Sequence, residues 1–135
     1  MGVSGKDTHV RFNVAAAIAL GILLPTLETV RRGFGYWFVN FTTMFEDYAA
    51  GLALLVCAVG MLRGARWAPA ALLVVWSGIT FMMLISTVSQ VEHHLGEHPE
   101  PHSGIVLLAK VLLLLVCVLA CVQSLRDRKA TGRDS

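Results

Sequence analysis

The sequence predicts an all-α integral membrane protein, built as a single bundle of four transmembrane helices over residues 1–135. The chain is 56% hydrophobic and only 15% charged, with a mean hydropathy of +0.66, which is too apolar for a soluble domain of this length. Four separate segments each approach the roughly 20 apolar residues that a helix needs to cross a bilayer. None alternates polar and apolar residues as a barrel strand would, so helices are favoured over a barrel.

The four candidate spans are 12–30, 45–62, 67–91 and 104–125. The third contains no charged residue, and the fourth is interrupted only by Lys110. Spans of this length joined by short connections predict antiparallel neighbours in one bundle.

Residues at the ends of these spans carry helix-start signals. Thr43 and Glu46 form a capping box, which predicts that the second helix starts near Met44. Pro69 suits the first turn of the third helix, because its missing amide donor costs nothing there. Ser103 can cap the fourth helix.

The first two helices carry features that affect their packing. Pro25 lies inside the first helix, where it can cause a kink and frees a carbonyl one turn earlier. Small residues on both helices predict a close contact between them. They are Ala17 and Gly21 on the first helix and Ala49, Ala53 and Cys57 on the second.

The distribution of lysine and arginine predicts the orientation. Four spans place both termini and the 63–66 turn on one side of the membrane, with eight basic residues against two on the other side. The eight are Lys6, Arg11, Arg63, Arg66, Arg126, Arg128, Lys129 and Arg133, and the two are Arg31 and Arg32. By the positive-inside rule we expect cytoplasmic termini, with the 91–103 loop outside, in a bacterial plasma membrane. The alternative of a cleaved signal peptide lacks a small-residue cleavage site after the first span.

The connection at 31–44 is rich in aromatic residues, which favours the bilayer interface. We expect it to lie along the outer interface, with a short interfacial helix as one form. Two roles are open, namely simple anchoring of the bundle and a lid over a site between the helices. The aromatic residues are Phe34, Tyr36, Trp37, Phe38 and Phe41.

The second outer connection reads VEHHLGEHPEPH at 91–102 and holds four of the five histidines. Imidazoles and carboxylates together suit copper, zinc or iron. The candidate ligands are Asp47, Glu92, His93, His94 and His98. Gly96 and two prolines interrupt helical structure here, so a flexible chelating loop is favoured. A solvated linker and a pH-sensing loop are the alternatives.

Two ionisable residues lie inside the spans, Glu28 and Lys110. A charged side chain in a transmembrane segment is costly and usually faces the bundle interior or a cavity. Either residue can instead reach the interface, since both lie away from the helix centres. One hypothesis pairs them across the bundle. Gln90 on the third helix is expected to hydrogen-bond to a neighbouring helix.

Three functions are consistent with these features. We expect a non-enzymatic accessory, assembly or partner-binding subunit in the bilayer, forming a homo-oligomer or joining other membrane subunits. An oligomeric transporter of small solutes, ions or protons using Glu28 and Lys110 is the first alternative. A metal-binding protein using the 92–102 connection is the second, with a transition metal as its cofactor. Nucleic acid is not expected, because no basic helical face is present. The cysteines lie too far from the outer face for a disulfide-forming membrane oxidoreductase.

Overall fold

The computed structural model describes residues 5–39, 41–96 and 102–131 of the chain. This part is all α-helical apart from connections and one short 3₁₀ segment at Phe34–Phe38. The helices are α1 (Gly5–Arg32), α2 (Phe41–Leu62), α3 (Ala68–Leu95) and α4 (Ser103–Thr131). The predicted class, an all-α four-helix bundle, is confirmed.

Each helix contains a stretch that is long and apolar enough to cross a membrane. These stretches are Val10–Arg32, Met44–Leu62, Ala68–Leu95 and Ser103–Arg126. By length and composition, the chain is therefore an integral membrane protein. All four stretches overlap the predicted spans, while the helices extend beyond them, because hydropathy does not register polar helical turns outside the apolar run.

The start of α2 differs from the prediction. The helix begins at Phe41, three residues before Met44, where the capping-box pattern had placed its start. Ring contacts run through this extra turn, with the Phe41 centroid 5.7 Å from that of Trp37 and 5.6 Å from that of Phe45. Aromatic stacking at i and i+4 spacing therefore accompanies the additional helical turn. The predicted ends of α3 are confirmed, since Pro69 lies in its first turn and Gly96 follows its last residue.

The helices pack as a square, with each helix antiparallel to the next. The closest packing is within the pairs α1/α2 and α3/α4, and further contacts join α2 to α3 and α1 to α4. Across the described residues, no two Cα atoms of diagonally opposed helices lie within 8 Å of each other. We call the end with the 33–40 and 96–102 connections the histidine end. The opposite end, with the start of α1, the end of α4 and the 63–67 turn, is the terminal end.

The middle of the bundle is filled by apolar side chains. Leu54 of α2 and Leu72 and Trp76 of α3 are fully buried. They belong to one cluster that receives residues from all four helices, including Ala17, Leu20, Cys117 and Ala120. The buried cysteines contribute small apolar surface here, as the sequence suggested.

The helices α1 and α2 cross through two glycines. A Cβ atom on Gly51 would lie 2.6 Å from the Gly21 carbonyl oxygen and 3.0 Å from Cδ of Pro25. A Cβ atom on Gly21 would lie 3.0 Å from the Gly51 carbonyl oxygen. The Gly21 carbonyl is the one that Pro25 deprives of its helical donor. A Cα hydrogen of Gly51 points toward it, so the crossing itself supplies a weak partner.

Replacing Gly51 by alanine should destabilise the protein by about 1–3 kcal/mol, because backbone on the opposing helix has no room to yield. Gly78 in the middle of α3 is the matched control, since a Cβ atom there meets nothing within 4 Å. Gly78→Ala should be neutral or stabilising through helix propensity. Reversible unfolding in mixed detergent measures both. Equal effects at the two sites would show that α1 and α2 do not cross at this point.

Candidate functional site

Polar side chains from all four helices lie at one level near the histidine end. They are Glu28 and Arg32 of α1, Asp47 of α2, Gln90 of α3 and Lys110 of α4. From the helical rise, all but Arg32 lie about 6–11 Å from the ends of their helices. We call these five residues the polar layer. Ionisable groups at this depth of a membrane protein usually mark functional positions.

The layer contains one direct ion pair, between Glu28 and Arg32. The Glu28 carboxylate contacts the guanidinium of Arg32, which lies one turn further along α1, and Glu28 is only 9% exposed. The Arg32 guanidinium also lies over the Tyr36 ring, 4.6 Å from its centroid. This cation–π contact covers the ion pair with the 3₁₀ segment.

Lys110 uses neutral partners on α3. Its Nζ donates to the Ser86 carbonyl oxygen at 3.3 Å and to Oε1 of Gln90 at 3.2 Å. The expected interhelical hydrogen bond of Gln90 is therefore observed. The ammonium carries three protons, so these two bonds leave capacity for one further acceptor.

The hypothetical pair of Glu28 with Lys110 is not the arrangement in the structure. Glu28 pairs with Arg32, and Lys110 binds α3, although Glu28 and Lys110 still interact electrostatically at longer range. The physical reason is proximity along one helix. Arg32 reaches Glu28 without crossing between helices, whereas Lys110 faces acceptors on its closest neighbour.

Asp47, the fifth residue of the layer, is on α2, which contacts α1 as α4 does. Its half-buried carboxylate interacts electrostatically with Glu28, Glu46, Arg31 and Arg32. No salt bridge to Asp47 occurs within the described ranges. α1 contacts both α2 and α4. The charge of Glu28 therefore interacts both with Asp47 on α2 and with Lys110 on α4.

Aromatic and hydroxyl contacts join α1, the 3₁₀ segment and α2 beside the layer. The Trp37 ring meets Tyr48 edge to face at 5.1 Å, and the Tyr48 hydroxyl lies 2.7 Å from Oγ1 of Thr29. Since Thr29 donates its own proton to the Pro25 carbonyl at 2.7 Å, Tyr48 is the donor to Thr29. The 31–44 connection contains a short helix, the 3₁₀ segment Phe34–Phe38, which is one of the forms expected from the sequence. Sequence reasoning missed Tyr48, although its place near the start of α2 could have suggested a contact with the end of α1.

A side-chain hydrogen bond joins the end of α3 to the start of α4. Nδ1 of His94 lies 2.7 Å from Oγ of Ser103, which is buried. The expected capping role of Ser103 is therefore replaced. Its hydroxyl contacts α3, while the His102 carbonyl accepts from the amides of Ile105 and Val106 at the helix start.

The predicted metal ligands are only partly within the described residues. His98 lies outside them, whereas Glu92 and His93 are exposed and His94 binds Ser103. Among residues 5–39, 41–96 and 102–131, no three His, Cys, Asp or Glu side chains are grouped to hold a metal. Metal binding by this connection stays a prediction.

The polar layer and the terminal end are separated by the apolar core. The buried residues below the layer include Leu24 and Leu20 of α1, Leu54 of α2 and Ile79 of α3. A group bound in the layer would therefore meet closely packed apolar side chains on moving toward the terminal end. Comparison with known protein families, curated proteins and solved structures found no match to this chain.

Double-mutant cycles should separate the two halves of the layer. Glu28→Gln with Arg32→Gln should show a coupling energy of about 1–3 kcal/mol, because either single change leaves the other charge unpaired. Lys110→Met with Gln90→Leu should also couple. Glu28→Gln with Lys110→Met should show a weaker coupling than Glu28→Gln with Arg32→Gln, because Glu28 and Lys110 interact only at longer range. Unfolding in mixed detergent gives these values, and strong coupling between Glu28 and Lys110 would contradict the observed pairing.

Proposed function

We propose that this protein is a non-enzymatic membrane subunit that binds a transmembrane helix of another chain through α4. The observation that supports this is how little of α4 is covered by its own chain. Only 11% of its span is buried, compared with 39% for α1, although it has the highest mean hydropathy of the four, 3.2.

The exposed surface of α4 has a regular pattern. Leu108, Leu112, Leu115 and Leu119 follow one another at spacings of four, three and four, and each is between 54% and 60% exposed. This is the heptad spacing with which two helices pack against each other in a left-handed supercoil. We call these four residues the leucine seam. Lipid alone requires only apolar character, whereas a heptad of leucines also suits helix contact. The partner is a second copy of this chain or another membrane subunit.

The closed core favours a binding role over transport by one copy. Transport needs a continuous polar route, whereas a cluster of hydrophobic residues from all four helices fills the middle of the described bundle. In this proposal the hydrogen bonds of Lys110 to Ser86 and Gln90 fix the register of α4 against α3 at the histidine end.

Proton or ion transport by an oligomer is a second candidate. The observation in its favour is that Asp47 and Lys110, at similar depth, each lack a direct ion partner in the described residues. A neighbouring copy would have to extend the route past the apolar core. Loss of transport on Asp47→Asn, with α4 contacts unchanged, would favour this candidate.

We further propose that the histidine end faces outward from a bacterial plasma membrane and that both termini are cytoplasmic. The support is the excess of lysine and arginine on the terminal side. In a chain whose three cysteines are replaced by alanine, Gly96→Cys should react with an impermeant thiol reagent on intact cells. Arg126→Cys should react only after permeabilisation. Both native positions are exposed, so reversed labelling would overturn the orientation.

Photo-crosslinking in native membranes tests the docking role of α4. A photoreactive amino acid at position 112 or 115 should give a discrete protein adduct, because the leucine seam lies against another helix. Leu52 on α2 and Val74 on α3 are matched controls, being 64% and 71% exposed. They should give lipid adducts only. If α4 positions also give only lipid adducts, or if all four positions crosslink alike, α4 is not a specific docking helix.

A further inference from the structure

A groove lies at the terminal end, where α2 meets the turn to α3. Its volume is about 450 Å³, within the range of small-ligand pockets. Its lining on α2 runs from Leu55 to Gly60, a distance of about 8 Å along the helix axis. The wall on α2 is formed by Leu55, Val56, Val59 and Gly60, and the turn contributes Arg63, Ala65 and Trp67.

The shape of the groove depends on two glycines. A Cβ atom on Gly60 would lie 2.8 Å from Cη2 of Trp67, so the indole lies directly against α2. Gly64 has a positive φ of 66°, which allows the chain to reverse within a few residues. The Ala65 amide then donates to the Gly60 carbonyl at 2.9 Å, which fixes the turn against the helix end.

The two ends of the groove differ in chemistry. Val56 and Val59 are about half exposed and present an apolar wall toward the bilayer. Arg63 is exposed at the end of the span, where an arginine is suited to bind a phosphate. Trp67 is 52% exposed at the start of α3, a position typical of the membrane interface.

We propose that this groove binds one anionic phospholipid. An acyl chain lies along Val56 and Val59, and the phosphate contacts Arg63. Charge complementarity supports this occupant, since Arg66, in the same turn as Arg63, also lies at the terminal end and increases its positive charge. A zwitterionic lipid would fit the apolar wall equally well but would gain less from this charge. The groove is separate from the polar layer and from the leucine seam of α4.

The test uses the full chain, purified in detergent and freed of lipid. Dioleoyl phosphatidylglycerol should raise the midpoint of thermal unfolding by about 5 °C at saturation, because it binds the folded state. Dioleoyl phosphatidylcholine, with the same chains, should raise it by less than a third of that. Native mass spectrometry should show one retained phosphatidylglycerol. Glycerol 3-phosphate, which lacks acyl chains, should have no effect.

Variants separate the two halves of the site. Arg63→Gln removes the charge and Val59→Trp fills the groove, and each should abolish the preference for phosphatidylglycerol. Arg126→Gln and Val74→Trp are controls at exposed positions outside the groove and should keep it. Arg63 is exposed, so Arg63→Gln tests the proposal even if Val59→Trp prevents folding. Equal stabilisation by both lipids, an effect of glycerol 3-phosphate, or equal losses in Arg63→Gln and Arg126→Gln would overturn it.

Discussion

The close crossing of α1 and α2 at Gly21 and Gly51 sets the geometry on which the rest of the bundle depends. In a bilayer, no water is available to satisfy a carbonyl that loses its helical partner. Pro25 removes such a partner from Gly21, and the absence of a side chain on Gly51 lets α2 approach this carbonyl. Towards the histidine end, the same approach brings Tyr48 to Thr29. A wider crossing would separate these groups and open the polar layer.

The polar layer balances its charges across helices with little direct ion pairing. Two carboxylates, Glu28 and Asp47, accompany two cations, Arg32 and Lys110. Only Glu28 and Arg32 form a salt bridge within the described chain, and Lys110 is held by an amide oxygen and a backbone carbonyl. Electrostatic interactions and hydrogen bonds are stronger away from water, so a net charge in the polar layer would be energetically costly inside the membrane. The ion pair lies within the last turn of α1, and the hydrogen bonds of Lys110 join α4 to α3.

The two ends of the bundle are chemically different, and this bears on how the protein meets its surroundings. The histidine end combines the polar layer with the Tyr36 ring, against which Arg32 lies, and with the nearby contact of Trp37 and Tyr48. The terminal end carries arginines beside an apolar groove. Between them, α4 presents a leucine-rich surface that its own bundle leaves open. The groove proposed for a lipid and the α4 surface proposed for another helix are separate, so either proposed contact could form without displacing the other.

Local composition was sufficient to predict the class, the four spans and the signals at Pro69 and Gly96, because hydropathy and turn chemistry act over a few residues. It also identified Glu28, Lys110 and Gln90 as polar groups near one end. The pairing of Glu28 with Arg32 follows from their spacing of one helical turn, whereas the partners of Lys110 and Gln90 required the tertiary structure. Helix rotation and register decide which acceptor lies within 3.5 Å of Lys110. Gly51 escaped notice for the same reason, because spacing along α2 does not reveal which small residue faces α1. The hydrogen bond of His94 to Ser103 likewise arises only once α3 and α4 lie side by side, where it takes the hydroxyl that the sequence assigned to a helix cap.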